Sequence, residues 1–411
     1  MKPTFLACGL VGLGLAVAPG LQARYQAPGA TFRSAVDLVA LEVTVVDREG
    51  KPIPTLKVTD FEVLINGRPR KVISADLITY TESKTAPAPA PSAATPVIKP
   101  LQPATVSGRV VLLAVDEGSL SHSAARVAMQ AAKQFVQSLP PEDVVGVFPF
   151  PFGKPVVDLV HNHTEVAFAL DKVTGRYSPP RSTCEMTVSE VVDITAGDQD
   201  VLATVGARCG EPNLRFVYGD AVSQAAYIET QYMQSLGDLR DLLHDVGSVP
   251  GRKIVVLVSG GMVKSDRSGG RPDVSAILKN AAVQAAASNA VLYVLHIDSS
   301  FTDAFSAANP SAHGSDPSFR LQSLGRDRAA QALGLEQIAG DSGGTVIRDQ
   351  AGSGQFGFAR ILRETSAYYL LGVEPAAADR DGRTHYIRVK ANAKNATVRS
   401  RTEVVIPRPR L

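Results

Sequence analysis

Four short segments of this chain are almost wholly apolar: Val110–Val115, Val144–Phe148, Ile254–Val258 and Val291–Ile297. A strand with one wet face alternates apolar and polar residues. A continuous apolar run implies burial on both faces, and therefore a parallel sheet covered by helices. Helical periodicity fills the gaps between the runs. Ala125, Ala128, Met129, Ala132, Phe135, Val136 and Leu139 recur at steps of three and four before Pro140-Pro141. Leu236, Leu239, Leu242, Leu243 and Val246 make a second stripe. Val274, Ile277, Leu278, Ala281 and Ala285 make a third, and Ala330–Ala339 a fourth that precedes Gly343-Gly344 and the strand Thr345–Ile347. This alternation predicts a doubly wound, Rossmann-like α/β domain over 108–350 with a mostly parallel central sheet.

The flanks read differently. Residues 24–82 predict a β module, with strands at Val36–Val46, Phe61–Ile65 and Lys71–Thr79; Asn66-Gly67 is the strongest short hairpin signal. Residues 83–107 carry Ala-Pro repeats and predict an extended linker. Residues 351–411 return to strands at Tyr368–Val373, His385–Ala391 and Thr397–Ile406, a second sandwich-like β region that pairs with the first or stands apart. Residues 1–23 read as an export signal: Lys2, the apolar stretch Phe5–Val17 and the cleavage site Leu21-Gln22-Ala23. A periplasmic or secreted protein with no membrane span after cleavage is the expectation. Loss of Cys8 with the signal leaves Cys184 and Cys209, which in an oxidising compartment predicts a disulfide between them. With 411 residues, 20% charged and 45% hydrophobic, and a net charge of +2, the composition is that of a globular protein and gives no argument for a nucleic-acid partner.

At the end of the first apolar run stands Asp116, followed by Ser119, Ser121 and Ser123. Open α/β sheets bind ligands at the carboxyl ends of their strands. The chain resembles the von Willebrand factor type A fold, and is most similar to the VWFA-related family described from acidobacteria. The resemblance is carried by Phe32–Gly50, by Asp60-Phe-Glu-Val-Leu-Ile-Asn-Gly67, by Gly251-Arg-Lys-Ile-Val-Val-Leu-Val-Ser259, and by Ser366-Ala-Tyr-Tyr-Leu-Leu-Gly372. It implies a divalent-cation site, an Asp-x-Ser-x-Ser loop completed by a Thr and by an Asp from a Ser-Asp-Gly loop, to which Mg²⁺ brings a preference for oxygen ligands. The motif is degenerate here. Gly118 and Leu120 occupy the serine positions, Ser259-Gly260-Gly261 lacks the carboxylate, and Asp220 stands where the Thr is expected. The candidate metal set is thus Asp116, Ser119, Ser121 and Asp220. The competing reading makes Asp116 and its serines helix-capping groups.

His161 and His163 flank Asn162 in a turn and have no third ligand nearby in sequence. Gly340-Asp341-Ser342-Gly343-Gly344 lacks nucleophile-elbow spacing. Ser182–Arg215, holding both cysteines, interrupts the alternation and reads as a long stapled loop, where a partner footprint is expected. Phe301–Phe319 reads as a second loop on the same edge. Together these features predict an exported, non-enzymatic recognition protein for a protein or surface-polymer ligand. The alternatives are cation-dependent adhesion through Asp116, Ser119 and Ser121, and a hydrolase pairing Asp116 with His161 or His163.

Overall fold

A computed structural model describes residues 38–80, 104–106, 108–151, 157–178, 183–299, 317–349 and 354–408. The expected signal segment and most of the expected linker lie outside them. The larger of two sheets contains β1 (Val39–Val46), β2 (Phe61–Ile65), β3 (Arg68–Tyr80), β4 (Ala104–Val106), β11 (Ala367–Glu374), β12 (Thr384–Ala391), β13 (Thr397–Ser400) and β14 (Glu403–Val405). Its order is β13-β1-β11-β3-β2-β12-β14, antiparallel throughout, with β4 added to β3 in parallel. Asn66 and Gly67 close the β2–β3 hairpin with φ of +49° and +76°, the double left-handed geometry that matches strand twist. One face of every long strand is apolar. Leu41 and Val43 of β1, Val63 and Ile65 of β2, Leu371 of β11, Ile387 of β12 and Val404 of β14 all enter one core. Strands several places apart in the sheet share that core because the sheet curls into a half-barrel around it.

The second sheet has six strands: β5 (Val110–Asp116), β6 (Val144–Phe150), β7 (Val157–Val160), β8 (Lys253–Ser259), β9 (Ala290–Ile297) and β10 (Thr345–Asp349). The order is β10-β9-β8-β5-β6-β7; β7 runs antiparallel to β6 and the other pairs are parallel. Helices α1 (His122–Gln137) and α2 (His163–Ala169) cover one face, together with the last helix of the chain, Gln355–Glu364. Val111, Leu113 and Val115 point into that layer, where Phe135 stacks on Phe358 at 5.0 Å. On the other face Leu112 and Ala114 meet α5 (Leu214–Asp245), α6 (Ser275–Ala287) and α7 (Pro317–Asp341). The helix Gln355–Glu364 is α8.

The expectation of one doubly wound type A-like domain carrying two appended β modules is corrected by these pairings. The largest sheet is antiparallel, and both ends of the chain build it: Val39 pairs with Val373 and Val43 with Ser400. Among the described residues the two flanking β regions, 24–82 and 351–411, therefore pair in one sheet, the alternative in which they join, and the mixed, helix-covered sheet is inserted between strands of the curled one. The physical reason is the alternation itself, which leaves each terminal segment with an apolar face that only the other can complete. Two expected loops are corrected as well. Ser182–Arg215 contains α3 (Val188–Thr195), α4 (Gln199–Cys209) and the start of α5, and Pro317 already begins α7 within the expected loop Phe301–Phe319. The linker expectation fails at its end, where Ala104–Val106 forms β4.

The two sheets meet at the amino-terminal end of the parallel strands. Arg252, just before β8, lies over the Tyr368 ring at 4.4 Å and donates to Thr44 Oγ1 at 3.1 Å. Arg109, just before β5, donates to both oxygens of the buried Asp143 and to Thr365 Oγ1. Buried charges persist only when paired and hydrogen-bonded, and this junction follows that rule closely for Arg109.

Candidate functional site

Asp116 is the last residue of β5, between β6 and β8 at the centre of the sheet. It was expected on an open rim; it is 1% exposed. Its backbone turns immediately into a tight loop, with Ser119 N–H donating to the Asp116 carbonyl at 3.2 Å and Glu117 N–H to Phe150 O at 2.7 Å. Three segments close over it. The stretch 174–177 is hydrogen-bonded to the loop through Arg176 N to Glu117 O and Tyr177 N to Leu120 O, and the buried Glu117 carboxylate accepts from Thr174 N and pairs with Arg176. The turn after β8 packs so tightly that a Cβ on Gly260 would meet Ser119 O at 2.2 Å. From the third side comes α5.

The carboxylate is held by hydroxyls. Ser259 Oγ donates to Asp116 Oδ2 at 3.1 Å and Ser235 Oγ to Oδ1 at 3.4 Å. Ser119 Oγ lies 3.0 Å from Ser259 Oγ, accepts from Gly260 N at 2.8 Å and donates to the Asp116 carbonyl. Burial pushes the Asp116 carboxyl up to about 6, against the pull of Ser119, Ser259 and Ser235. Desolvation outweighs the hydroxyl bonding that favours the charged form. Beside this cluster, His296 on β9 has its Nε2 3.2 Å from Gly260 O, and burial depresses its pKa.

The expected metal set does not assemble. Ser121 is the N-cap of α1, accepting from Ala124 N at 3.4 Å, and its hydroxyl neighbours Ser123 rather than Asp116. Asp220 lies on α5, fifteen residues before Ser235 and so about 22 Å from it along the helix axis; its Oδ2 accepts from the backbone of Thr183 and Cys184. What remains at Asp116 is one carboxylate and three serine hydroxyls, a poor fit to a divalent cation that wants several anionic or carbonyl oxygens and open coordination. Among the described residues no three His, Cys, Asp or Glu side chains gather as a metal site. The hydrolase pairing fails on distance. His163 Nε2 is 2.9 Å from Asp143 O at the amino end of β6, whereas Asp116 is registered with Phe150 at the carboxyl end, roughly 20 Å away at strand rise.

Sequence reasoning missed Ser235 and Glu117 as partners in this cluster. Ser235 carries no local signal, being a polar residue on the buried stripe of α5, and only the neighbouring Leu236 and Leu239 reveal that this face turns inward.

The helical insertion forms a second candidate. Cys184 and Cys209 are joined as a disulfide, with Cα atoms 5.1 Å apart. Around it Ile194, Leu202, Val205, Val217 and Ala221 make a small core of their own. Arg208 forks onto Glu190, tying α4 to α3, Arg326 onto Asp193, tying α7 to α3, and Arg271 onto Glu229, tying the turn before α6 to α5. On one flank of α5 Phe216 and Tyr227, eleven residues and so about 20° apart around the helix, are 45% and 40% exposed, while Tyr218 and Met233 are exposed on the opposite side.

No family model matches the sequence, and no curated protein matches it. Among solved structures, the pilus adhesin SpaC from Lactobacillus rhamnosus GG in its open conformation is similar over 73% of this chain at 10% identity, with a TM-score of 0.32. The match covers 39% of the adhesin, so this chain spans less than half its length. A likeness of that size leaves the architecture to be read from the strand pairings above. No described helix is long and apolar enough to cross a membrane.

Proposed function

We propose that this is an exported, non-catalytic recognition protein whose partner-binding surface is a flank of α5 beside the disulfide-closed helices α3 and α4. The observation that carries the reading is one flank of α5, where Phe216 and Tyr227 lie about 20° apart around the helix and both stand exposed. Around Tyr227, from Ala221 to Gly237, the helix carries a single charged residue, Glu229, which is occupied by Arg271. Exposed aromatics are enriched in interface cores relative to ordinary solvated surface. The disulfide and the fork-like arginine pairs hold that flank in a fixed shape, which lowers the entropy lost on binding. A protein or surface polymer is the ligand class. The buried Asp116 cluster, in this reading, ties α5 to the sheet through Ser235 and so positions the flank.

The test is capture of envelope components by the full chain and by a Phe216→Ser/Tyr227→Ser double variant. The expected result is loss of the captured species with an unchanged melting temperature. Equal capture by both proteins would move the interface elsewhere and sink the proposal.

A further inference from the structure

Where the curled sheet seats on the amino end of the parallel strands, a partly open cleft with a cavity of about 20 Å³ is lined by Glu42, Thr44, Arg252, Asn289, Arg399 and Arg401 among others. A water site needs roughly 10–15 Å³ of such space, so one small particle fits. Its lining holds three guanidinium groups and one carboxylate. The carboxylates nearby are already shared. Glu42 takes Asn289 Nδ2 at 2.9 Å and an ion pair with Arg252 Nε at 3.3 Å. Glu364, behind the lining, is fully buried and takes both Arg399 and Arg360. Arg401 donates to the Ala40 carbonyl at 2.8 Å. Its Nε is buried with no hydrogen-bond partner, and so is Arg252 Nε, which approaches Glu42 without the alignment of a hydrogen bond.

We infer that this cavity is a binding site for a small monovalent anion, chloride being the abundant candidate, held between the Nε–H groups of Arg401 and Arg252. Arg401 is partly exposed through its Nη2, but its Nε–H is buried, and a charged donor buried without an acceptor is destabilising. A water molecule would satisfy the donors but leave the positive excess in place, whereas a halide answers both. Burial accordingly holds Arg401 below the usual guanidinium range, opposed only by Glu42. Bound there, the ion joins the turn after β13 of the curled sheet to the residue before β8 of the inserted one, so it acts as a structural clamp between them.

The experiment uses the full chain with bromide as the probe. Crystals soaked in sodium bromide are expected to show an anomalous peak inside the cavity, adjacent to Arg401 Nε. Thermal melts in sodium chloride and sodium gluconate at matched ionic strength are expected to diverge, with the midpoint rising with the logarithm of chloride concentration, as linkage requires. The divergence should vanish in Arg401→Gln, which removes the excess charge. Superimposable melts in the two salts together with water-like density would overturn the inference. So would a bromide peak without any halide-dependent midpoint, which marks occupancy at crystal concentration only. If Arg401→Gln does not fold, the soak and the wild-type melts decide between these outcomes.

Discussion

Two buried carboxylates of the six-stranded sheet, one at each end, are handled in opposite ways. At the carboxyl end Asp116, unlike its neighbour Glu117 with its partner Arg176, is surrounded by the neutral hydroxyls of Ser119, Ser235 and Ser259. At the amino end, arginines gather against the curled sheet: Arg109 with Asp143, Arg399 and Arg360 with Glu364, Arg252 with Glu42. The first arrangement lets the group respond to solvent pH because nothing fixes its charge. The second holds each charge against an oppositely charged partner. A strand-end carboxylate is thus no evidence of an open site, since its meaning depends on what closes over it.

The contrast can be broken most forcefully at the amino end. Glu364→Ala removes the shared partner of Arg360 and Arg399, and breaking a buried pair in this way costs about 3–5 kcal/mol. Chemical denaturation of the variant at pH 7 should show that loss. A loss under 1 kcal/mol would mean that the pairs are solvated and the contrast is false.

At the carboxyl end the expected signature is a pH slope. The folded state holds the Asp116 proton more tightly than the unfolded chain, because the folded carboxyl sits at about 6 and an ordinary aspartate near 3.8. The associated stability is complete below pH 4 and is lost as pH rises through 6, roughly 3 kcal/mol in all. Comparing wild type with Asp116→Asn by urea denaturation from pH 4 to 7.5 isolates this group. The difference between the two should swing in favour of the variant as pH rises; a flat difference would show that Asp116 is hydrated or partnered by a cation.

A smaller effect sharpens the same point. Ser259→Ala deletes a hydroxyl that favours the charged form, and should cost about 1.5 kcal/mol above pH 7 but little at pH 4. The smallest expected effect is that of millimolar Mg²⁺, which should leave the melting temperature unchanged. A rise of several degrees that disappears in Asp116→Asn would restore a cation site at the carboxyl end.

Local signals in the sequence foretold local structure. Asn66-Gly67 marks a real hairpin, Pro140 follows the end of α1, and the four apolar runs are all strands. Partner choice was not legible. Alternation in Val39–Val46 says which face is apolar but not that its neighbours are β11 and β13, hundreds of residues downstream. The helices α3 and α4 did leave traces: Thr187 and Glu190 form a capping box, and Gly210 ends α4 in the left-handed region at φ +68°. Those caps were hidden by the polar composition between them. Asp116 was placed correctly at a strand end, but its burial depends on Gly260, Ser235 and residues 174–177, which lie far apart in the chain and converge only in three dimensions.

The pairing of Val39 with Val373 carries a consequence for biogenesis. The first strand made must wait for nearly the last before its edge is satisfied. At a synthesis rate of about 5–20 residues per second that interval runs to tens of seconds. Throughout it an apolar strand with an open edge depends on chaperoning or on remaining unfolded. Assembly of the half-barrel is therefore post-synthetic, slow in the manner of folds with distant contacts, and a chain released before β11 would leave β1 with no sheet to join.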